Sequence, residues 1–109
     1  MSMAINPFEL LKQFGNMQER MNEMQARLGR IAVVGSAGGG MVQVELNGHL
    51  EATRVTIGPE AVDPADIPML QDLVRAALTD ALTKIKEKIR EEASSLTGGL
   101  PLPPGMLGM

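Results

Sequence analysis

The first thirty residues carry apolar side chains at the spacing of a long amphipathic helix. Intervals of four and three residues alternate between them, and this heptad seam indicates packing against another long helix. Asn6 is a good N-cap, Pro7 fits the first helical turn and Glu9 lies within that turn, so the helix is predicted to begin here. The seam consists of Leu10, Phe14, Met17, Met21, Met24, Leu28 and Ile31.

The face opposite this seam carries charges of both signs. When the helix is projected at roughly 100° per residue, four basic residues share one quadrant with Glu9, Glu19 and Glu23. The pattern fits either a solvated face supported by pairs along the helix or a strip that faces phosphates. The basic residues are Lys12, Arg20, Arg27 and Arg30.

Period-two alternation replaces the helical pattern in the middle of the chain. The segment 31–34 is short, apolar and β-branched, and it fits either a first strand or the last helical turn. Gly35 is the predicted position for the change of element. Val42, Val44 and Leu46 then lie two residues apart, which predicts a half-buried strand.

A hairpin signal follows this strand. Asn47-Gly48 predicts a type I′ turn, because both residues tolerate positive φ. The return strand, residues 50–57, changes parity, which indicates either a bulge near Thr53-Arg54 or a sheet covered on both faces. Two or three strands are marginal alone, so this sheet needs helices or a partner sheet.

The glycines that precede the strand resemble a phosphate loop only in their number. The stretch 35–40 lacks a Gly-Lys-Ser/Thr ending, and a strand rather than a helix follows it. A bend between strands, or a close approach of two backbones, explains these glycines better.

A second helix is predicted from about Pro68 to Leu96, after cap signals at Asp63 and Asp66. At 1.5 Å per residue it is about 40 Å long, which exceeds the span of such a small sheet. Its second half is therefore expected to protrude or to meet another helix.

These elements predict an α+β fold with one domain over residues 6–97. A long N-terminal helix, an antiparallel sheet of two to three strands with the Asn-Gly hairpin, and a long C-terminal helix follow in order. Residues 1–5 are predicted to be a flexible N-terminus, and residues 98–109 a Gly/Pro-rich tail that is extended or disordered.

Composition adds two expectations about assembly and chemistry. The chain has 109 residues, two aromatic side chains and nine Met, so its core is small and adaptable, and a second copy is expected. There is no Cys, and the only His is His49, beside the predicted turn. The usual zinc and nucleophile-base arrangements are thus largely excluded, and neither an enzyme, a metal, a cofactor nor a small-molecule substrate is expected.

The termini and the charge bear on location and partners. No secretory leader and no apolar run of about 20 residues is present, so a soluble cytoplasmic protein without membrane contact is expected. The net charge of −3 does not by itself indicate a nucleic-acid binder.

Several short motifs occur together in order along nearly the whole chain, roughly from Asn6 to Gly105. Together they resemble the YbaB/EbfC family of bacterial nucleoid-associated proteins, although each motif alone is weak. They are Gly35-Ser-Ala-Gly-Gly-Gly-Met-Val42, Asn47-Gly48, Val55-Thr-Ile57 with Pro59-Glu60, Leu70-Gln-Asp-Leu-Val74, Ala76-Ala77, Asp80-Ala81, Lys84 and Leu96-Thr-Gly-Gly-Leu100.

The resemblance implies a homodimer with a joined central sheet and helices that project like tweezer arms. It also implies a location on the nucleoid, binding to double-stranded DNA, and effects on nucleoid organisation and gene expression. Two positions depart from the family pattern: Gly58 stands where the family often has Asp, and Thr79 where it often has Asn. A role tied to the Asp or Asn side chain at these positions is therefore not expected in this chain.

The residues constrain how DNA would be bound. Two phenylalanines on a packing seam cannot stack single-stranded bases, and no helix-turn-helix or zinc finger is visible. Contact with phosphates, largely insensitive to sequence, remains. The candidates for it, chosen by charge alone, are Lys12, Arg20, Arg27, Arg30, Lys84, Lys86, Lys88 and Arg90.

Candidates for the sheet and the dimer come from the glycine stretch and the alternating strand. They are Gly38, Gly39, Gly40, Val42, Val44 and Leu46.

The competing hypothesis for the function is a coiled-coil adaptor or a holdase-like clamp that does not bind DNA. The Met-rich seam would suit such a protein.

Overall fold

The computed structural model describes residues 6–96 and confirms the predicted α+β class. The predicted N-terminal segment 1–5 and tail 98–109 lie outside the described residues. The elements are helix α1 (Pro7–Arg30), strands β1 (Ala32–Ala37), β2 (Val42–Asn47) and β3 (Ala52–Ile57), a 3₁₀ turn (Pro59–Ala61) and helix α2 (Ile67–Leu96).

Helix α1 begins as predicted but ends earlier than Gly35. The Asn6 Oδ1 accepts a hydrogen bond of 3.0 Å from the Phe8 N–H, which caps the first turn. Ile31 leaves the helix with an extended backbone, and its N–H still donates to the Arg27 carbonyl. The β-branched residues that follow then enter β1, and that strand continues through Gly35. The prediction that the element changes at Gly35 is wrong.

The three strands form one antiparallel sheet in the order β1-β2-β3. Gly38, Gly39 and Gly40 make the turn between β1 and β2, all with positive φ (63°, 68° and 94°), which explains a run of glycines there. Val42 and Val44 are buried on the middle strand.

The β2–β3 hairpin uses a different turn from the one predicted. Positive φ occurs at Leu50 (61°) and not at Asn47 or Gly48, so the type I′ prediction is wrong. The Leu50 N–H donates to the Asn47 carbonyl (3.0 Å), and Asn47 Oδ1 accepts from the N–H groups of His49 and Glu51. This is a three-residue loop that ends in a left-handed residue.

Gly48 serves the contact between this hairpin and α1. Its N–H donates to the Leu28 carbonyl over 2.9 Å, so one of the orphan carbonyls at the end of α1 is satisfied. A Cβ at position 48 would overlap the Leu28 carbonyl oxygen and lie 2.8 Å from Ile31 Cγ1. Glycine is needed here for space and not for its φ.

The change of parity on the return strand is a β-bulge, which confirms one of the two predicted alternatives. Glu45 is opposite Arg54, and the next pair is Leu46 with Ala52, so Thr53 is the extra residue. The Thr53 hydroxyl donates to Glu45 Oε2 over 2.7 Å.

Helix α2 covers one face of β1 and β2. Asp66 Oδ1 accepts from the Met69 N–H (3.2 Å) at its start, as the cap signals predict. The buried stripe has one residue per turn and packs with Val42, Val44 and Leu46 in one core. The stripe consists of Ala77, Ala81, Ile85, Ile89 and Ala93, and the first four of these belong to that core.

Gly35 is the position at which α2 crosses β1 most closely. It is buried, and a Cβ there would overlap the Ala77 carbonyl oxygen and the Ala81 nitrogen and lie 2.6 Å from Ala81 Cα. The predicted close approach of two backbones is therefore confirmed at Gly35, inside a strand.

The second half of α2 meets the last turns of α1. Arg27 Nη1 lies 4.0 Å from Glu92 Oε2, and Leu28 packs against the core. Toward its N-terminus, α1 has no cover within residues 6–96, and Phe14, Met17 and Met21 of the seam are exposed. The predicted partner helix for this part of the seam is not found in the described chain.

Candidate nucleic-acid interface

The four basic candidates on α1 differ in their surroundings. Lys12, Arg20 and Arg30 are exposed. Arg27 is half-buried, because it lies beside Glu92 of α2. A cation that faces a carboxylate is partly neutralised, so Arg27 offers less to a phosphate than the other three do.

Lys84, the first candidate on α2, is held by the edge of the sheet. Its Nζ donates to the Val34 carbonyl (3.0 Å) and lies 3.0 Å from Asp80 Oδ2. The same carboxylate oxygen accepts from the Ser36 N–H (3.0 Å). The hydrogen bond from the Ser36 N–H lowers the pKa of the Asp80 carboxyl, and the hydrogen bond from Lys84 lowers it further by a smaller amount. Lys84 thus joins α2 to β1, while its side chain stays 48% exposed.

Arg90 has an acidic neighbour one turn away on the same helix. Its Nη1 lies 3.3 Å from Glu87 Oε2, and both side chains are well exposed. Exposed pairs of this kind contribute about 0–1 kcal/mol, so Arg90 can exchange this partner for a phosphate at little cost. Arg75, which was not a candidate, forms a similar pair with Asp72 (3.5 Å).

Five of the eight candidates have no acidic partner in the described part of the chain. Among residues 6–96 their side chains form no hydrogen bond and no ion pair, and all five are exposed. They are Lys12, Arg20, Arg30, Lys86 and Lys88.

The α2 candidates do not form a single strip. Lys84 and Lys88 lie one turn apart, and so do Lys86 and Arg90. At about 100° per residue, Lys84 and Lys86 lie roughly 200° apart around the helix. One duplex that approaches a single chain therefore meets one of these two flanks, not both.

Arg54 is a basic residue that charge placement on the helices overlooked. It lies on the open face of the sheet, in a shallow depression with Val34, Gln43 and Thr56. Glu45 is its cross-strand partner, but within residues 6–96 the two side chains form no ion pair. The return-strand pattern placed Arg54 near the bulge. Only the observed register shows on which face of the sheet Arg54 lies.

The six sheet and dimer candidates lie inside the chain's own sheet. Val42, Val44 and Leu46 are buried in the core with the α2 stripe, and β2 pairs with a strand on each side. Two sheets can therefore be joined only through β1 or β3. The role of these six residues in a dimer interface stays a prediction.

In residues 6–96, no group of three or more His, Asp or Glu side chains is placed to hold a metal ion. None of the helices there is long and apolar enough to cross a bilayer.

Comparison with known proteins identifies relatives along most of the chain. The chain is 48% identical over 101 residues to a nucleoid-associated protein of Dictyoglomus turgidum, covering 93% of this chain and 97% of that one. It is 50% identical over 97 residues to one of Granulibacter bethesdensis (89% and 91%) and 43% identical over 99 residues to one of Legionella pneumophila (91% and 88%).

A solved structure shows the same fold. It is an uncharacterized protein of Helicobacter pylori, with a TM-score of 0.70 and 21% identity, and it covers 86% of this chain and 99% of that chain. At this level of identity, the likeness concerns the fold alone.

The model of the YbaB/EbfC DNA-binding family matches residues 3–100. This is a family of DNA-binding proteins and not of enzymes. The chain belongs to the YbaB/EbfC DNA-binding family.

Proposed function

We propose that this protein is nucleoid-associated and binds double-stranded DNA as a homodimer, mainly through phosphates and with little sequence preference. The observation that carries the proposal is the set of five exposed cations without an acidic partner in residues 6–96: Lys12, Arg20, Arg30, Lys86 and Lys88. Binding of this kind would act on nucleoid organisation, and through it on gene expression.

Unpaired cations matter because the whole molecule is acidic. One chain carries −3 and two chains carry −6, so the long-range field does not attract DNA. Contact must come from local positive charge within about one Debye length, roughly 8–10 Å in physiological salt. The unpaired residues supply such charge without first losing an internal ion pair.

The salt dependence of binding tests the phosphate mode. If a dimer contacts four to six phosphates, log affinity is expected to fall with log salt at a slope of about −4 to −5. Fluorescence anisotropy of a labelled duplex, titrated between low and moderate salt, measures this slope. Two duplexes of unrelated sequence should give nearly the same affinity and slope.

Two results would contradict the proposal, and each would contradict a different part of it. No binding at low salt would contradict DNA binding and favour the adaptor hypothesis, which the exposed Met17 and Met21 of the seam would suit. A large difference between the two duplexes with a shallow slope would contradict the phosphate mode, because base contacts would then dominate.

The dimer is proposed to form through the β3 edge of the sheet. Side chains of α2 already occupy the outer edge of β1, where Lys84 binds the Val34 carbonyl and Asp80 binds the Ser36 N–H. Among residues 6–96, no side chain hydrogen-bonds to the backbone of β3, and all six of its residues are exposed. An open edge of this kind pairs readily with another strand.

An apolar surface borders the open β3 edge. Val55 and Ile57 are opposite the buried Val44 and Val42, so they lie on the core side of the sheet, yet they are 54% and 42% exposed. Val62 and Ile67, on the connection to α2, are also exposed. Two β3 strands paired antiparallel about a two-fold axis would bring both surfaces together.

Replacing Val55 with Glu is expected to convert a dimer into a monomer. The change places a charge in the proposed interface, where burial without a partner is costly. Light scattering should give twice the chain mass of 11.6 kDa for the unaltered protein and about one chain mass for the variant.

Val34→Glu is the matched control. Val34 is 45% exposed but lies on β1, two strands from the proposed interface and thus about 10 Å away. This variant should remain a dimer. Loss of the dimer in Val34→Glu, with the dimer intact in Val55→Glu, would place the interface on the open sheet face instead.

A further inference from the structure

The N-terminal two thirds of α1 present an apolar surface to solvent. Five large apolar side chains there are between 58% and 78% exposed, and none of them is covered by residues 6–96. Surfaces of this kind on a soluble domain usually have a partner. The residues are Phe8, Leu11, Phe14, Met17 and Met21, and they are called the arm surface below.

The last described turns of α2 lie beside the C-terminal end of α1. Glu92, in the last described turns of α2, lies beside Arg27 of α1, and Ala93 is buried. Residues 97–109 follow, and this segment of thirteen residues contains no charged side chain. Its large apolar residues and prolines are Leu100, Pro101, Leu102, Pro103, Pro104, Met106, Leu107 and Met109.

The length of this segment matches the distance that it would cover. From Arg27 back to Phe8 the helix is 19 residues long, which is about 29 Å at 1.5 Å per residue. Thirteen residues at the polyproline rise of about 3.1 Å reach roughly 40 Å. A segment that starts beside Arg27 can therefore reach the whole arm surface without help from a second chain.

We propose that residues 97–109 bind along the arm surface of the same chain. Pro-rich segments bind apolar surfaces with aromatic side chains because little conformational entropy is lost, and Met adapts to an irregular contact. Phe8, Phe14, Met17 and Met21 provide such a surface. Lys12 is exposed and lies about 140–180° around α1 from Phe14, Met17 and Met21, although it is one turn from Phe8.

Disulfide trapping tests the proposal, because the protein has no Cys of its own. The full-length variant Met17→Cys with Leu102→Cys is oxidised in dilute solution and followed on non-reducing denaturing gels. The control is Glu19→Cys with Leu102→Cys, since Glu19 is exposed and lies roughly 200° around the helix from Met17.

The Met17 pair is expected to form a disulfide at least roughly tenfold faster than the Glu19 pair, because binding raises the effective concentration of one thiol at the other. The product should run as a single chain. Equal rates for the two pairs would overturn the proposal. So would a product of two chains, including one formed by Met17→Cys alone, since a second copy would then cover the arm surface.

Discussion

Gly35→Ala is expected to destabilise the fold by about 3 kcal/mol or more. The added methyl group would overlap two backbone atoms, the Ala77 carbonyl oxygen and the Ala81 nitrogen. Backbone cannot change rotamer, so α2 would have to move away from β1, and the packing of Ala77 and Ala81 in the core would be lost. Urea unfolding followed by circular dichroism measures the change.

Gly15→Ala is the matched control, since it makes the same chemical change with the opposite expected sign. Gly15 lies inside α1, with nothing within 4 Å of an added Cβ. Alanine is favoured over glycine in a helix by roughly 1 kcal/mol, so this variant should be slightly more stable. Equal stability of Gly35→Ala and the unaltered protein would contradict the close crossing of α2 over β1.

Removing two unpaired cations from α1 is expected to give the largest loss of DNA affinity. Arg20→Gln with Arg30→Gln removes four positive charges from a dimer. Each phosphate contact contributes about eightfold at 0.1 M salt through counterion release, so four contacts amount to a loss on the order of 10³-fold. The salt slope should become shallower by roughly 3 to 4, again by anisotropy.

A single substitution elsewhere provides a control of equal net charge. Arg75→Glu changes the chain from −3 to −5, as the double Gln variant does, but Arg75 lies 17 residues, about 25 Å, along α2 from Glu92, where that helix meets α1. Its effect on affinity should be small. A similar loss in both variants would mean that total charge, rather than the α1 cations, controls binding.

Much of the fold could be predicted because it depends on local spacing. The Asn6 cap and the heptad spacing of α1 are visible within a few residues of sequence, and the parity change near Thr53 indicated the bulge. Gly35 and Gly48 could not be interpreted in this way. Each is a glycine because an element remote in sequence, α2 or the end of α1, occupies the space of its Cβ.

The sequence predicted which residues of the candidate site are charged, but not all of the partners that they contact. Arg90 and Glu87 are three residues apart on one helix, so their pairing can be inferred from sequence. Lys84 cannot be assigned in that way, because its partner carbonyl belongs to Val34, 50 residues away. Arg54 was missed because the face that it takes depends on strand register.

The unequal edges of the sheet limit how far the molecule can assemble. A sheet with two open edges can add copies at both ends and grow into a fibre. Here Asp80 and Lys84 occupy hydrogen-bonding groups on the outer edge of β1. If two β3 strands pair, both ends of the joined sheet are closed edges, so growth stops at two copies. The Asp80–Lys84 pair then blocks the addition of further strands at β1, and so protects the sheet from aggregation through its edges.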